Sequence, residues 1–249
     1  MANAKYELLE NDTVKSWDGR TLFRIRALVA IAAMGVSVGD LGGYVEAEKN
    51  LQVSGDAWVY GNARVSGDAR VSGNAQVYGN ARVSGNAWVY GNAQVYGNAR
   101  VYGNARVSGN AWVSGDARVS GNAWVYGDAW VYGNAWVSGD AWVYGNAQVY
   151  GNARVSGDAQ VSGDASKTPI VVSGLRWNVT ITDYQMAIGC QLHGIEEWRD
   201  FDDRAILAMD GRPALEFWGK YKAALLAICE GEGRPFPKAE EPVVNTVAA

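Results

Sequence analysis

Ala57-Trp58-Val59-Tyr60-Gly61-Asn62-Ala63-Arg64-Val65-Ser66-Gly67-Asp68 is one six-residue phrase spoken twice: Ala-x-Val-(Ser/Tyr)-Gly-(Asn/Asp). The phrase recurs until nineteen valines stand six residues apart, from Val53 to Val161. A hexapeptide period predicts a parallel β-helix. Within Ala-x-Val-(Ser/Tyr) the residues alternate across a short strand, so Ala and Val face inward while x and Ser/Tyr face out. Gly-(Asn/Asp) turns the corner, because these residues accept positive φ at low cost. Three such strands close one coil, and coils stack at about 4.8 Å, so roughly six coils make a rod about 30 Å long. Its backbone groups pair with the coils above and below, leaving open edges only at the two ends.

An aliphatic residue preceded two places earlier by a small one, as in Ala57/Val59, Ala63/Val65 and on through Ala159/Val161, resembles the hexapeptide-repeat proteins. The resemblance implies a left-handed prism. It also implies three parallel rods packed side by side, a homotrimer. Periodicity alone gives no hand, and ordinary parallel crossovers are right-handed.

Composition and the flanks set the organisation: cap and lead-in over 1–52, repeat over 53–165, an α+β cap over 166–231 and a flexible tail over 232–249. The net charge is −4. The repeat is neutral, with seven Arg and seven Asp. No strongly basic domain suggests nucleic acid as a partner. Two cysteines, Cys190 and Cys229, make no disulfide framework and fit a reduced compartment. The N-terminus lacks a signal-peptide form, and the apolar run from Ala27 to Val38 is too short to span a bilayer and reads as buried structure. A soluble protein of the cytoplasm is expected, with no membrane partner.

In the cap, Lys5 to Leu9 and Thr21 to Val29 read as strands around the Asp18-Gly19 turn, and Leu51 already packs like a repeat residue. After the repeat, Ile170 to Ser173 and Trp177 to Thr182 read as strands. A short helix follows Asp202-Asp203 and stops at Gly211. A longer one starts at Pro213, with a stripe of Ala214, Phe217, Trp218, Tyr221, Leu225 and Ile228, and stops at Gly231. Gly39-Asp40-Leu41-Gly42-Gly43-Tyr44-Val45 resembles bacteriophage and prophage hexapeptide-repeat proteins. So do Thr180-Ile181-Thr182-Asp183, Ile188-Gly189-Cys190 and Glu196-Glu197-Trp198. That resemblance implies a viral or prophage origin, in the host cytoplasm or on the virion, and no established activity.

The chemistry expected is binding. Hexapeptide acyltransferases use a histidine base, and the repeat has none. The carbonic-anhydrase branch needs three histidines, and the chain has one, so an enzyme would rest on fold analogy alone. Cys190-Gln191-Leu192-His193 could supply two zinc ligands or begin a nucleophile–base pair, but the plainer reading is a buried Cys and a loop His. No catalytic residue, metal or cofactor is assigned.

Sorting the outward residues by an 18-residue coil gives three faces. The first presents Arg64, Arg82, Arg100, Arg118, Trp136 and Arg154. Its five arginines form an anion ladder able to grip phosphate, sulfate or carboxylate. The plain alternative is solvated decoration paired with corner carboxylates such as Asp68 and Asp116. The second face presents Trp58, Tyr60, Tyr78, Tyr96, Trp112, Trp130, Tyr132 and Tyr150 as an oligomer or partner surface, or simply as rows stabilising the sheet. The third mixes Arg70, Trp88, Arg106, Trp124, Trp142 and Gln160. The expectation is therefore a non-catalytic phage or prophage binding or scaffold protein, engaging or inhibiting a host defence component. The alternative is an acyltransferase-like enzyme or small-anion binder using clefts between trimer subunits.

Overall fold

A computed structural model describes residues 4–163 and 165–234. Most of the expected tail, 235–249, lies outside the described residues. The chain divides into two compact units, Met1–Val171 and Val172–Ala249.

The first unit is a parallel β-solenoid of about seven turns. Eighteen two-residue strands, from Trp58–Val59 to Gln160–Val161, recur every six residues. They stack into three parallel sheets of six rungs each, and Leu41–Val45 adds a seventh rung to one of them. Register is exact over eighteen residues, as in Arg64↔Arg82 and Arg82↔Arg100. A phrase in the middle of the rod hands three backbone N–H groups to the next coil: Arg82 to Ala99 O (2.9 Å), Ser84 to Val101 O (2.9 Å) and Asn86 to Gly103 O (2.8 Å). All the valines from Val59 to Val161 and the alanines between them are buried. Each buried valine is worth about 1.5 kcal/mol, so the narrow core is held by many small equal contributions rather than by a few large side chains.

The corner glycine is fixed by both conformation and space. Gly85 has φ 70°, and a Cβ there would lie 3.0 Å from the backbone N and O of Gly103. The neighbouring Asn residues form polar ladders, each Nδ2 donating to the Oδ1 one coil on. Asn86 to Asn104 (3.1 Å), Asn104 to Asn122 (2.9 Å) and Asn122 to Asp140 (2.8 Å) is one such run.

Val53 departs from the pattern, at 44% exposed. Leu51 pairs with Val71 in its place and is fully buried, so two extra residues lie between Leu51 and the first regular coil. Tyr44↔Arg64 and Val45↔Val65 carry the same two-residue offset. The cap itself is an antiparallel hairpin, Tyr6–Lys15 with Thr21–Ala27, whose second strand pairs with Leu41–Val45. The first strand runs further than its polar residues suggest, because Thr13 and Val14 pair with Phe23 and Leu22 beyond a register shift. Gly42 and Gly43 let the cap meet the rod: a Cβ on Gly43 would stand 2.6 Å from Ala63 O and Val59 Cγ1. Lys5 closes the open end, its Nζ donating to the carbonyls of Gln52 (3.1 Å), Gly55 (2.9 Å) and Ala57 (2.8 Å). The apolar run from Ala27 to Val38 is a surface loop around the short turn Ala32–Met34, with Ile31 and Val36 buried but Leu28, Val29 and Val38 exposed. It is too irregular to bury every apolar side chain.

In the second unit, strands Val179–Ile181, Gln185–Ile188 and Gln191–Gly194 form an antiparallel meander. Helix α1 (Ile195–Asp200) and the helical segment α2 (Asp203–Gly231) follow. Asp202 caps α2, its carboxylate accepting from Ala205 N at 2.8 Å. The segment breaks where Gly211 predicts, at Asp210 (φ −150°, ψ 34°) and Gly211 (φ 66°, ψ −154°). Phe217, Trp218, Leu225 and Cys229 fill the core, with Cys229 rather than Ile228 closing the stripe. A buried ion pair, Arg234 Nη1 to Asp183 Oδ1 at 2.8 Å, fastens the end of the described chain to the meander. Among the described residues no helix is long and apolar enough to cross a membrane.

Candidate functional site

The arginine face is assembled as the spacing requires. Arg64, Arg82, Arg100 and Arg118 stand on consecutive rungs of one sheet, followed by Trp136 and Arg154. Adjacent rungs are about 4.8 Å apart, so neighbouring guanidinium groups repel one another unless an anion lies between them. Burial, and then Arg100 and Arg64 on either side, hold the Arg82 guanidinium below its ordinary pKa. Arg154 takes a different role, its guanidinium carbon 5.9 Å from the Trp136 ring centroid. The four upstream arginines therefore act as one group and Arg154 as an outlier.

The expected pairing with corner carboxylates is not what holds these arginines. Asp68 is taken by Lys49 (2.6 Å), and Asp116 accepts from Asn98 Nδ2 (3.1 Å). The corner side chains run along their own ladder rather than across the flat face. Among the described residues, no ion pair to Arg82, Arg100 or Arg118 is formed.

The cap adds what the repeat cannot show. The hairpin turn Ser16–Arg20 overhangs the first rungs and makes a groove of about 340 Å³, in which Trp17, Arg64, Arg82, Arg100, Tyr102 and Arg118 all take part. The overhang is tied down at several points. Arg64 Nη1 donates to Lys15 O (3.1 Å), and Ser16 Oγ accepts from Arg20 N (2.9 Å). Arg20 bridges Asp18 (2.7 Å) and Glu46 (3.1 Å), and Glu46 in turn accepts from Gly67 N (2.6 Å). On this fixed turn Trp17 is 81% exposed. A large indole at this exposure beside a cation row leaves its flat face open to whatever the arginines bind. Ser16 and Trp17 are groove residues that no sequence pattern groups with the arginines, whereas Tyr102, two places beyond Arg100, shares their face by the same alternation.

The second face is an aromatic ladder. Tyr78 and Tyr96 stack at 4.8 Å, Trp112 and Trp130 at 4.8 Å, and Tyr132 and Tyr150 at 5.3 Å. Trp58 is only 1% exposed and packs edge-on against Tyr6, so it belongs to the seat of the cap and not to an open surface. Tyr60 is likewise held by the cap, donating to Met34 O at 3.0 Å. Aromatic character extends to the third face, where Tyr126 and Tyr144 stack at 5.5 Å and Trp88 and Trp142 are exposed.

The Cys190 and His193 environments reverse the plain reading. Cys190 is exposed in a turn, and His193 sits in the strand Gln191–Gly194 between the ring edges of Trp198 (5.3 Å) and Phe201 (4.9 Å). The tight Gly189–Cys190 turn faces the thiol outward while the strand carries the imidazole onto the aromatic cluster. Among the described residues no group of three metal-ligating side chains converges.

The repeat is similar to the family model described as YdcK Beta solenoid repeat, over residues 51–91, 93–145 and 147–163. No curated protein matches the chain. Geometry and repeat match together make the chain a β-solenoid repeat protein.

Proposed function

We propose that this β-solenoid is a non-catalytic binding protein whose arginine groove grips an anionic group on its partner. The observation that carries the reading is the row Arg64, Arg82, Arg100 and Arg118, without an acidic partner for the last three among the described residues, beneath an exposed Trp17. Guanidinium groups grip phosphate, sulfate or carboxylate bidentately, and Trp17 supplies a flat apolar surface for whatever carries the charge. A phage or prophage origin and a host component as partner, in the host cytoplasm or at the virion, extend the same reading. An inhibitor of host defence is the form it would take there. Acyltransfer is not favoured, because the repeat holds no histidine to serve as the general base.

Tripolyphosphate, a linear polyanion, tests the groove by calorimetry. Binding is expected at one site per chain and to weaken with salt. Arg82→Ala with Arg100→Ala is expected to reduce affinity at least about thirty-fold, since each removes a charge-assisted contact. Unchanged affinity in the double variant rejects the groove as the site.

A second reading, self-association into a trimer, is favoured by the exposed indoles of Trp88, Trp130 and Trp142. A monomeric mass by light scattering at micromolar concentration rejects it.

A further inference from the structure

The four arginines beneath the hairpin turn do not all do the same job. Arg64 Nη1 donates to Lys15 O at 3.1 Å, so that guanidinium helps to fix the turn. Arg82, Arg100 and Arg118 follow on consecutive rungs and form no ion pair among the described residues. No described carboxylate lines the groove, whose other polar side chains are serine and tyrosine hydroxyls and the Trp17 indole. The acids of the turn, Asp18 and Glu46, are held by Arg20 at 2.7 and 3.1 Å. Rungs lie about 4.8 Å apart, so like charges stand in a line with no counter-charge among them. A ligand that neutralises the row carries several negative charges in a line itself, as a phosphate chain does.

Trp17 marks one end of that line. It lines the groove, and it also borders a second recess beside Ser66, Gly67, Ser84 and Gly85, in the phrases begun by Arg64 and Arg82. The indole therefore stands at the capped end of the row, and Arg100 and Arg118 lead away from it. At 81% exposed, on a turn tied down at several points, it offers an open ring face already held in place. Such a face takes a planar heterocycle by stacking, whatever the identity of the base.

We propose that the groove binds a nucleoside triphosphate, its base stacked on Trp17 and its phosphates running along Arg82, Arg100 and Arg118. This assigns a ligand class to the anion site of the proposed function and rests on that reading.

Calorimetry on the full chain with ATP, AMP and tripolyphosphate, free of divalent cations, tests it. Tripolyphosphate carries at least as much charge as ATP, so charge alone makes it bind at least as tightly. Stacking reverses that order, and ATP is expected to bind about ten-fold more tightly than tripolyphosphate. AMP, with a single phosphate, should bind at least about ten-fold more weakly than ATP. Trp17→Ala should abolish the advantage of ATP over tripolyphosphate, whereas Trp17→Phe, which keeps a ring, should retain most of it. The side chain is so exposed that both variants should keep the parent circular dichroism spectrum. Three results overturn the nucleotide assignment while leaving the anion groove standing: tripolyphosphate binding as tightly as ATP, AMP binding as tightly as ATP, or an ATP advantage that survives Trp17→Ala. Failure of both ATP and tripolyphosphate to bind overturns the groove and the nucleotide together.

Discussion

At the scale of single residues, the solenoid corners behave as directional wires. In the corner containing Asn80, Nδ2 donates to Asn98 Oδ1 (3.4 Å), and Asn98 donates to Asp116 (3.1 Å). The run halts there, since an ionised carboxylate accepts but cannot donate. A new run starts with Asn134 donating to Asn152 (3.3 Å). Asp116→Asn should join the two, raising stability by about 0.5 kcal/mol, measurable as a higher thermal midpoint. A lower midpoint would show that the ladders add nothing. The two cysteines differ for an equally local reason. Burial pushes the Cys229 thiol up to about 11, while Cys190 is exposed. At pH 8 a maleimide should label Cys190 quickly and leave Cys229 unlabelled until the unit unfolds. The unfolded thiol ionises near 9, so this unit should lose stability as pH rises from about 9 to 11, and Cys229→Ala should flatten that decline.

At the scale of elements, the N-terminal hairpin both caps the rod and roofs the groove, and these two jobs rest on different residues. Gly43 serves the cap, where an added methyl group meets Ala63 O and Val59 Cγ1 at 2.6 Å. Gly43→Ala should cost about 1–3 kcal/mol in a denaturant melt. Trp17 serves the groove. Trp17→Ala should leave stability within about 0.5 kcal/mol, because the side chain touches so little, yet weaken tripolyphosphate binding. If the glycine variant melts like the parent, the cap docks less tightly than its geometry requires. The rod itself was readable almost completely: every valine from Val59 on is where the count places it, because each phrase folds against an identical copy of itself. The cap was not. Its first strand, the exposure of the Ala27–Val38 loop and the burial of Trp58 all depend on pairings and packing, such as Thr13 with Phe23 and Trp58 with Tyr6, that no local pattern encodes.

At the scale of the whole molecule, eighteen residues are the quantum of the solenoid. Deleting residues 123–140 removes one coil and keeps every downstream residue on its own face, so tripolyphosphate affinity should persist in a folded, somewhat less stable protein. Deleting residues 75–80 rotates everything after them by one face and puts Trp88 where Arg82 stood. That protein should still give a β-solenoid spectrum but lose the anion site, whereas retained affinity would show that Arg82, Arg100 and Arg118, still stacked on one another, bind without Arg64 and the Trp17 turn. The sequence by itself determined the period, the inward valines and alanines, the corner turns and which side chains share a face. Those follow from strand alternation and a fixed repeat, which need no information beyond spacing. Only the tertiary structure decided that a hairpin turn hangs over Arg64 to Arg118, that Leu51 displaces Val53, that Trp58 is covered, and that four aromatic rings of the second unit line one cleft. Each of those depends on the packing of segments far apart in the chain, where geometry rather than periodicity chooses the neighbours.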